Sequence, residues 1–150
     1  MEFQISFGYL AILILAIIFL VGLMVLLAKM LLRELSKPTL EGGMTRQDVH
    51  SRWQMIEGLT QRNDEVSYKL AIMEADKLLD HALKAMYFSG NTLGERLKLA
   101  CYKHPNLRQV WQAHLMRNRI VHEANYHVNA GAARRAITQY KQALKILNIL

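Results

Sequence analysis

The chain changes character once, close to residue 30. From Phe3 to Ala28 no side chain is charged, and apolar residues fill every face of a helix instead of one stripe. At helical rise this run spans roughly 39 Å, enough to cross a ~30 Å hydrocarbon core with some tilt. Residues 1–35 are therefore expected to form a single transmembrane helix, apolar from Phe3 to Ala28 and ending in a basic juxtamembrane turn. A cleaved signal sequence is the rival reading. It would carry positive charge ahead of a shorter apolar run and a small-residue cleavage pattern behind it. Here Glu2 is the only charged side chain ahead of the run, and Ala28-Lys29-Met30-Leu31-Leu32-Arg33 offers no such pattern.

Residues 36–44 read as a short linker, because Pro38 and the Gly42-Gly43 pair would break any helix continuing from the span. From 45 to 150 the punctuation marks helices. Thr45-x-x-Asp48 resembles a capping box and opens a helix to about Arg62. After Asn63-Asp64, an apolar stripe at spacings of three and four (Tyr68, Ala71, Ile72, Ala75, Leu78, Leu79, Ala82, Leu83, Met86) predicts a helix from about Glu65 to Phe88. Gly90 is available there for a left-handed cap. Thr92-x-x-Glu95 opens a helix to about Lys103, and His104-Pro105 breaks it. Asn106 can cap a fourth helix from Leu107 to about Glu123, and Asn129 a last one reaching nearly to Leu150. No sustained alternation and no Asn-Gly hairpin signal points to strands. The fold class expected is all-α: one N-terminal transmembrane helix, then a four- to five-helix antiparallel bundle.

Charge adds an orientation. Lys29, Arg33, Lys37 and Arg46 follow the span and no Lys or Arg precedes it, which places the domain in the cytoplasm and the N-terminus outside. The single cysteine, Cys101, cannot form an internal disulfide and reads as a small core residue in a reducing compartment. Residues 41–95 hold six Lys/Arg against nine Asp/Glu, whereas 96–150 hold ten against one, Glu123. A basic half of this kind attracts nucleic acid or anionic lipid, or is simply a solvated face.

The fourth helix carries the most informative constellation. With 100° per residue, Leu107, Val110, Trp111, Leu115 and Val121 form the inward stripe, and His114, Asn118 and His122 fall within it at i, i+4 and i+8. Arg117 lies at its border. Polar groups on an apolar stripe need partners, at a cost of about 1–3 kcal/mol each if left without them. Two solutions stay open: a structural network inside the bundle reaching Asp76 or Asp80, or a cleft or subunit interface where they meet a ligand. Histidines at i, i+4 can chelate metal, but no acidic or Cys ligand stands beside them, so no metal or other cofactor is expected.

The run Arg117-Asn118-Arg119-Ile120-Val121-His122 resembles the signature of HEPN domains, an arginine with a following polar residue and a histidine four to six positions on. The likeness covers about residues 45–150. It extends to Met73-Glu74-Ala75-Asp76-Lys77-Leu78-Leu79-Asp80, similar to the equivalent helix of HEPN-like proteins in uncharacterised bacterial families. The anchor lies outside it. What the resemblance implies is a four- or five-helix bundle, commonly a homodimer, whose ribonuclease members use paired motifs for metal-independent attack of a ribose 2′-hydroxyl on the adjacent phosphate. Carried over, His122 is the acid/base group, Arg117 stabilises charge on phosphorus and Asn118 positions the histidine or the backbone. His114, Asp76 and Asp80 support them. Arg117 and His122 stand at i, i+5, about 140° apart on a straight helix, so convergence calls on side-chain reach, a distorted turn or a dimer mate.

Two function classes follow, with a third beside them. One is an RNA-directed module, binding RNA or cutting it as an endoribonuclease. Another is a non-catalytic dimerisation or scaffold protein that recruits a cognate protein partner at the cytoplasmic membrane face. The third is docking of the basic half on anionic lipid. No phosphate-cradling glycine loop, nucleophile elbow or Cys-x-x-Cys pair is present.

Overall fold

The computed structural model of the chain describes the backbone of residues 2–35 and 45–150, and the side chains of 8–30 and 45–150. The linker expected at 36–44 and the Phe3 side chain lie outside the described residues. Two compact units result, Met1–Lys37 and Pro38–Leu150. Among the described residues every regular element is a helix, and none is a strand.

In the first unit, α1 runs from Glu2 to Leu35. Its stretch Gly8–Met30 is long and apolar enough to cross a membrane, and every described side chain on it is exposed. In the second unit, α2 (Arg46–Gln61), α3 (Glu65–Ala85), α4 (Leu93–Lys103), α5 (Trp111–His122) and α6 (Ala130–Ile146) form a helical bundle, with a 3-10 helix at Pro105–Val110. Central to it is α3, which packs against α2, α4, α5 and α6. The expected stripe is the reason: Ala71, Ile72, Ala75, Leu79, Ala82 and Leu83 are completely buried. Alanine at three of these positions lets neighbouring helices approach closely while Ile72, Leu79 and Leu83 fill the space between them.

The caps obey the local chemistry. Thr45 and Asp48 form a reciprocal capping box, the Asp48 N–H donating to Thr45 Oγ1 at 3.2 Å and the Thr45 N–H to Asp48 Oδ2 at 2.7 Å. Thr92 accepts from the Glu95 N–H, but the Glu95 carboxylate takes the N–H of Asn91, one residue further back than a capping box requires. Asn129 caps α6 through the Ala132 N–H at 2.8 Å.

Three boundaries differ from expectation. Helix α3 ends at Ala85 rather than Phe88, and the left-handed residue is Tyr87 (φ 58°), not Gly90. The Tyr87 and Phe88 N–H groups bond back to Lys84 and Leu83, which turns Phe88 onto the core. Gly90 serves elsewhere: at φ 146° a Cβ there would meet Glu95 and the Arg96 backbone at 2.8 and 3.0 Å. Helix α6 stops at Ile146, where Asn148 takes φ 55° and the Ile149 N–H returns to Leu144. Finally, Asn106 caps nothing. Pro105 opens the 3-10 helix instead, and α5 begins at Trp111 without a side-chain cap.

Glu65 fixes where α6 starts. From the first turn of α3 its carboxylate pairs with Lys69 Nζ at 2.8 Å, lies 3.1 Å from His127 Nδ1 and accepts the Val128 N–H at 3.1 Å. Those partners, Lys69 foremost, lower its pKa from 4.5 to about 2. A carboxyl depressed on folding stabilises the fold above its unfolded pKa, and that contribution disappears as pH falls through the folded value. The Tm of the full chain in detergent micelles should therefore exceed that of Glu65→Gln at pH 6, and the gap should close between pH 4.5 and about 2. A gap independent of pH would contradict the pairing.

Candidate functional site

The 3-10 helix sets the face that α5 presents. It turns about 120° per residue against 100° in an α-helix, so the phase carried from Leu107 to Val110 slips by roughly 60°. The inward stripe expected on this segment is corrected accordingly. Leu107 and Val110 are buried, but Trp111 is only half-buried and Leu115 and Val121 are exposed. Ala113 and His114 point inward, with Met116 and Ile120 packed partly against the core. His122, expected on the buried stripe, is exposed at the last turn.

This rotation brings His114, Arg117 and Asn118 to Asp76, a carboxylate only 4% exposed in the middle of α3. Its Oδ1 accepts from the Tyr140 hydroxyl of α6 at 2.8 Å and from His114 Nδ1, also at 2.8 Å. Asn118 Nδ2 lies 3.3 Å from His114 Nε2, and Arg117 Nη1 donates to Asn118 Oδ1 at 3.2 Å. Arg117 Nε closes the ring 3.2 Å from Asp76 Oδ2. The arrangement is self-consistent. Arg117 fixes the Asn118 amide with its oxygen toward the guanidinium, so the amide nitrogen donates to Nε2, and the Nδ1–H tautomer of His114 donates to Asp76. Burial and the neighbouring Asp76 charge push the Tyr140 phenol well up, holding it as a donor.

The last contact of the ring is the imperfect one. Arg117 Nε is buried, and its N–H is not aligned on Asp76, so it makes an ion pair without a good hydrogen bond. Arg119 differs entirely, lying over the Tyr126 ring at 4.2 Å and gripping Glu123 at 2.9–3.2 Å.

Asp80, expected to support the same residues, has other partners. Its Oδ1 accepts from Arg96 Nε at 2.9 Å and its Oδ2 pairs with Lys84 at 3.0 Å. Arg96 is itself buried and also donates to the Gly90 carbonyl, tying α4 and the preceding loop to α3. Sequence reasoning passed over Tyr140 and Arg96. Both had a signal: each stands among small or aliphatic residues on its helix's buried stripe, where a polar tip calls for a partner.

These residues line one groove of about 890 Å³ between α3, α4 and α5. Asp76, His114, Arg117, Asn118 and His122 stand along it, with Asp80 and Arg96 also in its wall. The network residues are thus held from beneath, and His122 reaches the same groove from the end of α5. Among the described residues, no group of three His, Cys, Asp or Glu is placed to hold a metal ion.

Removing the Asp76 carboxylate leaves two donors unmatched, Tyr140 and His114, and takes the counter-ion from Arg117. Asp76→Ala should cost about 3–5 kcal/mol in denaturant unfolding of the full chain, the scale for breaking a buried charge pair. Tyr140→Phe, which removes one of several bonds, should cost about 1 kcal/mol. An Asp76→Ala loss no larger than that of Tyr140→Phe would show that the ring does not hold the helices together.

Comparison with family models, with curated proteins and with solved structures finds no match for this chain.

Proposed function

We propose that this chain is a membrane-anchored, HEPN-like helical module that acts on RNA through the groove holding Arg117, Asn118 and His122, with its domain in the cytoplasm. The observation that carries the reading is the Arg117 guanidinium. It is pinned by Asp76 and Asn118 through Nε and Nη1, and with its side chain 34% exposed it lines the open groove. A guanidinium fixed in this way and partly exposed is a receptor for phosphate, whose oxygens match its planar donors. The surrounding 96–150 half, with ten Lys/Arg against one acid, supplies long-range attraction for a polyanion.

The chemistry follows from residue types. His122 takes the proton of a ribose 2′-hydroxyl as that oxygen attacks the adjacent phosphorus. The bond from phosphorus to the 5′-oxygen breaks, leaving a 2′,3′-cyclic phosphate, and the departing oxygen is protonated from water. Arg117 faces the charge that builds on the non-bridging oxygens. His114 is already committed to Asp76, so its part is to hold Asn118 and, through it, Arg117.

A second reading is a non-catalytic dimerisation or scaffold role at the membrane face. It draws on Met73, Leu115 and Val121, exposed apolar residues on α3 and α5, two of the three helices that bear the groove. A homodimer formed there would bring two grooves together, so self-association alone does not separate the readings. Catalysis does.

The full chain in phosphatidylcholine nanodiscs should cleave single-stranded RNA in the presence of EDTA. His122→Ala should lower the rate on the order of 10²–10⁴-fold while RNA binding persists. Equal or absent cleavage by both proteins removes the enzyme, and absence of binding as well leaves the scaffold. For the anchor, the chain should stay in membranes after alkaline carbonate washing with its N-terminus intact. A shortened, soluble product would identify α1 as a removed signal.

A further inference from the structure

Beside the Arg117 groove lies a second hollow of about 470 Å³, lined by Lys98, Cys101 and Tyr102 of α4, Arg108 of the 3-10 helix, and Trp111 and Gln112 of α5. We infer that this hollow is a stacking subsite for one nucleobase of single-stranded RNA, placed so that the strand continues into the Arg117 groove. The inference rests on the RNA reading above and specifies where the base sits.

Four features converge on it. Tyr102 is 88% exposed, so its ring is spent on no packing within the chain. Trp111 is half-buried and held edge-on to His114, with ring centroids 6.1 Å apart, which fixes the indole where it borders both depressions. Lys98 and Arg108 supply cations for a phosphate, and no carboxylate stands in the lining. The volume falls within the ~300–1,000 Å³ range of small-ligand sites. An exposed aromatic platform sharing a hollow with cations suits a base with its backbone phosphate, because stacking takes the apolar ring faces and the cations take the charge. Cys101 forms part of the floor. It is nearly buried, and burial raises its thiol pKa, so it contributes shape without reactivity. Trp111 joins the two sites physically: a base in the hollow sets the adjoining phosphodiester toward Arg117.

The test uses the full chain in phosphatidylcholine nanodiscs with a fluorescein-labelled adenosine dodecaribonucleotide, read by anisotropy, and labelled heparin as a polyanion without bases. Tyr102→Ala should weaken RNA binding about tenfold and leave heparin binding unchanged, while Tyr102→Phe should bind RNA like wild type. Tyr102 is exposed, so these variants should keep the wild-type Tm. RNA binding by Tyr102→Ala equal to wild type overturns the stacking subsite and leaves the RNA reading standing. So does an equal loss for RNA and heparin, which would mean charge alone. No RNA binding by the wild-type chain overturns both.

Discussion

The buried carboxylate of Asp76 is the constraint on which the domain's polar architecture turns. It sits in the middle of the central helix, where an unpaired charge would be costly. Its partners therefore come from two other helices: Tyr140 from α6, and His114 and Arg117 from α5. One carboxylate locks the rotation that the 3-10 turn gives α5, fixes a histidine tautomer and aims an arginine. The cost of burying it is offset by three charge-assisted contacts, and the same contacts leave Arg117 beside open space. Stability and the candidate chemistry share a single residue.

That sharing separates roles which look alike in the motif. His114 and His122 lie on the same helix, but one is sealed against Asp76 and the other is free at the helix end. Arg117 and Arg119 are two residues apart, yet Arg119 is committed to Glu123 and Tyr126. Of these four, Arg117 and His122 are the two that line the groove with their side chains partly or fully exposed.

Much of this was legible in the residues. Capping pairs such as Thr45/Asp48 and the alanine–leucine stripe of α3 are local patterns with local causes, so the helices and their order followed from them. Asp76 was legible as one of two candidate partners, with Asp80, because polar residues on the apolar stripe of the fourth helix call for partners; Asp80 instead holds Arg96 and Lys84. What could not be read was phase. The 3-10 turn at Pro105–Val110 breaks the 100° bookkeeping, so Leu115 and Val121 were placed inward and emerge exposed, and Arg117 was placed at a border when it belongs to the network. Tyr140 and Arg96 escaped for a related reason. Each meets its acid across a tertiary contact, 64 and 16 residues away in sequence, and no spacing rule reaches that far.

The account's central claim is that RNA meets the domain along α5. Photo-crosslinking tests it most directly: 4-thiouridine-substituted RNA irradiated with the full chain in phosphatidylcholine nanodiscs, and the adducts mapped by mass spectrometry. The account predicts adducts concentrated between Trp111 and His122, lost when Arg117 is replaced. Adducts confined to the basic residues that follow the apolar span, or none at all, would contradict it.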